Sequence, residues 1–343
     1  MNIINHIIKK KHLVWGHLLR PQRALNSLLA LISFKLKLIR PWGRPLAVDI
    51  EPTNFCNLKC QHCQVSHWRK PKKCLTMDDF NSWIKQFKTA IRIKLQGMGE
   101  PLLNKELPAI IRQLEREKFY IEVVSNGTIM TEELSKVITQ TRHFGITISF
   151  DGADKETFES IRVGSDFDKI KGNLKMLIQA KPRISKVSAS MVGVEENKEQ
   201  IKATIELLGD LGIDEFILQL VVINFGQDSL DEVTVGHRIK IKNQPDLFKT
   251  DLYETAKQKG LKMEIIDTLF DEENPCPWPW LGTYIDTEGY VIPCCHVANA
   301  EICNFGNLNQ KDFRTIWHSK EYQRLREQIK NHRIPNFCRS CYK

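Results

Sequence analysis

From residue 46 to about residue 222 short apolar runs alternate with amphipathic stretches, and this alternation restricts the fold more than anything else in the sequence. The strand candidates are Leu46–Glu51, Ala90–Gln96, Tyr120–Ser125, Gly145–Asp151, Lys186–Val192 and Glu215–Val222. Helical periodicity separates them at Met77–Phe87, Leu107–Lys118, Thr131–Thr141, Asp168–Ala180 and Lys198–Leu211. Strands that follow one another through helices pair in parallel, because a parallel pair needs a long crossover. The expectation is an α/β fold, a partial (β/α)6 TIM-like barrel over residues 46–222. In such barrels chemistry gathers at the C-terminal ends of the strands. The unusual residues stand there: Cys56, Gly97-Met98-Gly99-Glu100, Ser125-Asn126-Gly127 and Asp151-Gly152 each follow a predicted strand.

The flanking segments differ in character. Residues 1–45 read as a basic helical leader in two helices. Ile4, Ile7, Ile8, Val14, Trp15, Leu18 and Leu19 share one face, and Leu25, Leu28, Leu29, Ile32 and Ile39 make a second apolar run after Arg20-Pro21. Residues 223–275 are a polar connector with a predicted helix, Asp246–Lys259, and a strand, Lys262–Ile266. Residues 276–343 form a small cysteine-rich hairpin and helix module, whose hairpin joins Thr283–Asp286 to Tyr290–Pro293 around Glu288-Gly289. The net charge of +9 belongs to the leader: residues 1–48 hold nine basic residues and no acidic one, and the remainder is balanced. A neutral body argues against a nucleic-acid role. The leader's apolar runs are too short to span a bilayer and lack a small-residue cleavage site, so the expected location is the cytoplasm. A basic segment with apolar stripes also suits peripheral contact with a membrane surface through residues 1–44. The same stripes would suit docking on the barrel or binding a partner.

Ten cysteines in a chain of this kind point to metal or redox work rather than to disulfides. None lies between Cys74 and Cys276, so two separate metal sites are expected, one at each end. Cys56, Cys60 and Cys63 are spaced to hold three irons of a cubane cluster and leave the fourth open to a small molecule. The same thiols, with His62 or His67, would also suit zinc.

The segment Glu51-Pro52-Thr53-Asn54-Phe55-Cys56-Asn57-Leu58-Lys59-Cys60-Gln61-His62-Cys63 resembles the radical S-adenosylmethionine (radical SAM) enzymes. That resemblance implies a SAM-binding [4Fe-4S] cluster on Cys56, Cys60 and Cys63. Gly97-Met98-Gly99-Glu100-Pro101 is similar to the family's glycine-glycine-glutamate segment for the methionine amine, with Met98 interrupting the glycine pair. Asn126 and Ser149 match positions that touch the cofactor's ribose or carboxylate. Arg162 matches the arginine that pairs with the methionine carboxylate, and His62 stands where relatives place an aromatic ring against adenine.

Cys276, Cys294, Cys338 and Cys341 resemble the ligand set of the SPASM auxiliary-cluster domain in its shorter, one-cluster form, with Phe305-Gly306-Asn307-Leu308 and Ile316-Trp317-His318-Ser319 between them. A zinc ribbon is the alternative there. Cys295 and Cys303 are expected to be spare, and Cys74 has no assigned role. The resemblance implies reductive SAM cleavage, hydrogen abstraction from a substrate carbon and a second [4Fe-4S] cluster that accepts the substrate electron. It also implies a small-molecule or peptide substrate and an electron donor such as flavodoxin or ferredoxin. Dehydrogenation of a sugar, cyclitol or related metabolite is the expected reaction. A peptide or protein maturase is the alternative, and a non-catalytic iron–sulfur or zinc-binding interaction protein is an alternative of another class.

Overall fold

The structure, a computed structural model, describes residues 20–60, 62–67, 70–182, 185–220, 224–230, 245–266, 270–271 and 273–342. The first predicted leader helix lies outside them. Helix α1 (Pro21–Lys35) precedes β1 (Ala47–Ile50). The chain then runs through α2 (Met77–Ile84), β2 (Arg92–Leu95), α3 (Leu107–Arg116), β3 (Tyr120–Ser125), α4 (Glu132–Gln140) and β4 (Phe144–Ser149). Next come α5 (Lys155–Ile161), α6 (Phe167–Ala180), β5 (Lys186–Val192), α7 (Ile201–Leu211), β6 (Glu215–Gln219), α8 (Pro245–Gln258) and β7 (Lys262–Ile266). The C-terminal part holds α9 (Trp278–Leu281), β8 (Gly282–Ile285), β9 (Val291–Ile292), α10 (Phe313–Trp317) and α11 (Lys320–Lys330).

Local chemistry sets the helix starts. The side chains of Thr76, Thr131, Asp154 and Asp166 accept the backbone N–H groups of Asp79, Leu134, Thr157 and Lys169, each satisfying an orphan donor of the first turn. Gly212 closes α7 at φ 83°, a left-handed position that an L side chain resists.

One sheet of nine strands runs β7-β6-β5-β4-β3-β2-β1-β8-β9, parallel except for the β8–β9 pair. It extends past the six strand candidates at both edges. Strand β7 pairs with β6, so the connector contributes to the barrel sheet. On the other side β8 pairs in parallel with β1, Ala47 opposite Gly282 and Ile50 opposite Ile285. The cysteine-rich hairpin therefore covers the edge that β1 would otherwise leave open.

Successive strand residues point to opposite faces. Val48, Ile50, Ile93, Leu95, Ile121, Val123, Ile146, Ile148, Ala189, Met191, Phe216 and Leu218 pack with the helices in one buried core. The alternate positions form the other face and are largely polar: Asp49 and Glu51 on and after β1, Arg92, Lys94 and Gln96 on and after β2, Glu122 on β3, Thr147 and Ser149 on β4. Arg92 ties three strands together, 3.2 Å from both Asp49 and Glu122, and Gln96 donates to Asp49 at 2.6 Å. Burial raises the Asp49 pKa, against the pull of Arg92 and Lys94. The expected buried strands are thus apolar on the helix side only.

The leader helix departs from its apolar spacing. Docking on the barrel through that stripe would turn the leucines inward, yet α1 buries Arg23, Asn26, Ser27, Ala30 and Ser33 and leaves Leu25 and Leu28 exposed. Arg23 explains the reversal. Its guanidinium donates to the carbonyls of Lys88, Glu117 and Lys118 at 2.7–3.2 Å, satisfying loop groups ahead of β2 and β3. Asn26 does the same for Thr89 and Arg44. Directional hydrogen bonds to otherwise orphaned carbonyls decide the face.

Candidate active site

The loop after β1 carries Cys56, Cys60 and Cys63 as half-buried thiols facing one another and Arg162. Its backbone is held on both sides. Gly99 N–H donates to Thr53 O at 3.1 Å and Glu100 N–H to Phe55 O at 2.9 Å, while Lys59 N–H reaches Val163 O at 3.0 Å. Leu58 N–H donates to Cys56 Sγ at 3.4 Å. Burial pushes the Cys63 thiol up to about 12, and burial likewise raises Cys56 and Cys60. Metal binding has to displace these protons, so loading is coupled to pH.

Both glycines of Gly97-Met98-Gly99 make room for the protein itself. A Cβ on residue 99 would lie 2.3 Å from Phe55 O and 2.4 Å from Thr53 O, and one on residue 97 would lie 2.4 Å from Glu51 Cγ. Glu51 joins three segments: it accepts from Met98 N–H at 2.8 Å, Tyr284 Oη at 3.0 Å and Thr287 N–H at 3.2 Å. Burial raises its pKa to about 7, partly offset by those donors.

Glu100 is buried and already committed. Its carboxylate accepts from Leu102 N–H, Ser125 Oγ and Asn126 N–H at 2.7–3.0 Å. It therefore positions the β3 turn, with roughly one of about four acceptor sites left over. Asn126 in turn donates to Asn57 Oδ1 at 3.0 Å and to Cys56 Sγ at 3.6 Å, and Asn57 donates to Thr128 Oγ1 at 2.8 Å. Ser149 stands half-buried at the end of β4, opposite Ser190, and His62 is half-buried between Cys60 and Cys63.

Arg162 caps α5 beside the triad. Its Nη2 lies 2.7 Å from Asp151 Oδ2, and Asp151 Oδ1 accepts Val192 N–H. Burial works against the Arg162 charge, but Asp151 beside it more than restores it. Arg162 Nε is buried without a hydrogen-bond partner among the described residues. A buried orphan donor beside three thiols suits an anionic ligand group there. Asp151 was visible in sequence only as an odd residue after a strand; its partner is not readable from spacing.

At the other end Cys276, Cys294, Cys338 and Cys341 come together: Cys338 feels Cys294, Cys276 and Cys341, and Cys276 feels Cys294 and Cys341. Burial raises all four, Cys294 and Cys341 to about 12. Cys276 N–H donates to Tyr342 Oη at 3.0 Å, and His296 Nδ1 is 3.3 Å from Cys341 Sγ. Cys295 has Asp49, Lys94 and Arg92 among its charged neighbours, so the module's loop borders the polar face of the sheet. Cys303 is near Cys338, and Cys74 bridges Thr53 through its backbone. Among the described residues no three His, Cys, Asp or Glu side chains close around a single-ion position. Four grouped thiols are the donor set of a [4Fe-4S] cluster, in which each thiolate holds a different iron, and also of a structural zinc.

The radical SAM superfamily model matches residues 50–208, and an iron–sulfur cluster-binding SPASM domain matches residues 276–342. The chain belongs to the radical SAM superfamily and ends in a SPASM domain. Its cofactors are accordingly [4Fe-4S] clusters and SAM. It is similar to the tungsten-containing aldehyde ferredoxin oxidoreductase cofactor-modifying protein of Pyrococcus furiosus, 23% identical over 85% of this chain and 86% of that one. It is also similar to the AdoMet-dependent heme synthase of Methanosarcina barkeri, 24% identical over 82% and 85%. Among solved structures, Streptococcus suis SuiB bound to precursor peptide SuiA shares the fold at TM-score 0.69 and 16% identity, covering 84% of this chain and 68% of that one.

Proposed function

We propose that the protein is a radical SAM oxidase of a polar metabolite, a sugar, cyclitol or related compound, that removes two electrons from one substrate carbon. The observation that carries this reading is the presence of two thiol sets at one barrel sheet, the triad after β1 beside Arg162 and Asp151, and the C-terminal four with Cys294 near Asp49 and its neighbour Cys295 near Asp49, Lys94 and Arg92. When bound, the triad cluster supplies the reductive cleavage of SAM, and the C-terminal cluster supplies an electron acceptor.

The chain's own residues do the rest. Cys56, Cys60 and Cys63 would hold the first cluster, and Cys276, Cys294, Cys338 and Cys341 the second. Arg162, kept charged by Asp151, would hold the methionine carboxylate. Gly97, Gly99 and Glu100 keep the β2 turn against the cluster loop and fix Asn126, while Ser149 and His62 would border the nucleoside. The polar face would orient the substrate through Lys94, Gln96 and Thr147. The reading places the enzyme in the cytoplasm, drawing electrons from a reduced flavodoxin or ferredoxin. A peptide or protein substrate is the second reading, favoured by the fold shared with a peptide-bound enzyme.

Metal analysis of anaerobically prepared protein tests the two-cluster assignment. About eight irons per chain and no zinc are expected, with about four left once the C-terminal four cysteines are changed to Ala. One zinc and about four irons would defeat the electron-acceptor role.

A further inference from the structure

Of the six large apolar side chains most exposed among the described residues, four fall within one stretch of chain: Leu25, Leu28, Leu36 and Trp42, between 55% and 62% exposed. Leu25 and Leu28 follow from the orientation of α1, whose polar side is committed to the loops ahead of β2 and β3, and Leu36 and Trp42 lie in the segment just after it. Those loops lie at the N-terminal ends of the strands. The cysteine triad, Asn126 and Arg162 lie at the C-terminal ends. Exposed Lys35 and Arg40 accompany the apolar patch, and residues 1–48 contain no acidic side chain at all.

We infer that this face seats the enzyme on an anionic lipid surface, with the active-site mouth turned away from the membrane. Leucines and a tryptophan enter the boundary between headgroups and acyl chains while the lysines and arginines meet lipid phosphates. Charge decides between this occupant and the others. A second copy would bring together two copies of a segment that holds no acid from residue 20 to residue 48, with Glu117 beside Arg23 as the acid next to it. Residues 1–19 add Lys9, Lys10 and Lys11 with no acid, so either would stack mostly like charge on like. An anionic bilayer neutralises it. Because the patch and the mouth are at opposite strand ends, substrate reaches the site from the aqueous side and is not drawn sideways out of the lipid.

The test is flotation of the full-length protein with vesicles of phosphatidylcholine alone or with added phosphatidylglycerol, alongside the double variant Leu25→Glu, Leu28→Glu. The wild type is expected to float with the anionic vesicles only, and less at high salt, where the surface potential is screened. The variant is expected to lose about tenfold or more of that binding, since it removes apolar insertion and adds like charge to the lipid. Its melting temperature, oligomeric state and 5′-deoxyadenosine formation should stay as in the wild type, because both residues are exposed and far from the triad. Absence of flotation with anionic vesicles would overturn the inference, as would a variant that floats equally well. A variant that melts earlier or dissociates a dimer would overturn it too, by showing that protein already covers the face. Vesicle binding is read without turnover, so it stands or falls separately from the proposed reaction.

Discussion

Residue 99 shows how closely the site is built into the chain. Gly99→Ala would push a methyl group into the carbonyls of Thr53 and Phe55, backbone that cannot swing away. A loss of about 1–3 kcal/mol is expected, read as a lower melting temperature together with reduced iron content. Gly172 on α6 is the control: nothing lies within 4 Å of an added Cβ, so Gly172→Ala should be neutral or stabilise by about 0.5–1 kcal/mol. Glu51 carries a pH signature. With its pKa raised from 4.5 unfolded to about 7 folded, the native state binds more protons between those values. Its contribution is therefore fully present below about pH 4.5 and is lost as pH rises to about 7, an effect of about 3 kcal/mol. Melting curves from pH 5 to 8 should fall more steeply for wild type than for Glu51→Gln; equal slopes would show that Glu51 titrates normally. The positions of Asn126 and Arg162 beside the triad agree with the sequence resemblance that singled them out. The bonds from Glu51 to Tyr284 and Thr287 were not legible in sequence, because they depend on β8 pairing with β1 across more than two hundred residues.

At the scale of elements, what the sequence showed was local and what it hid was pairing. Short apolar runs and helical periodicity marked all six barrel strands and five of the helices within about three residues, but not the short helix α5 (Lys155–Ile161), whose seven residues are too few for a periodic signal. Strand order is a long-range outcome. Nothing near Lys262–Ile266 indicates that it extends the sheet beyond β6, and nothing in the hairpin indicates that it seals β1. Helix α1 escapes its apolar spacing for a similar reason. The strongest claim on its inward face is Arg23, whose planar donors meet three carbonyls from distant loops. Arg23→Ala should cost about 2–3 kcal/mol, since it orphans buried acceptors and removes the guanidinium stacked on Phe119. Differential scanning calorimetry reads this directly. Residues 38–43 are equally engaged, with Trp280 Nε1 donating to Leu38 O and Trp317 Nε1 to Gly43 O. Deleting the chain through residue 44 should thus lower the melting temperature rather than release a separable leader.

The whole molecule sets one thiol set after β1 beside Arg162 and the other in the module whose hairpin closes β1, and places a basic, apolar patch at the far end of the strands. Closing β1 with the hairpin is what sets Cys294 near Asp49 and Cys295 near Asp49, Lys94 and Arg92. The two sets have no residue in common, so each should load without the other. Changing Cys276, Cys294, Cys338 and Cys341 to Ala should leave SAM cleavage in place while substrate oxidation stops. The central claim, that this chain generates a radical from SAM, rests on Cys56, Cys60 and Cys63 and is tested most directly by 5′-deoxyadenosine. Protein loaded with iron and sulfide without oxygen, then given SAM and a strong reductant, should release 5′-deoxyadenosine, and Cys60→Ala prepared in the same way should release none while melting as the wild type does. Equal release from Cys60→Ala, or none from the fully loaded wild type, would contradict the account.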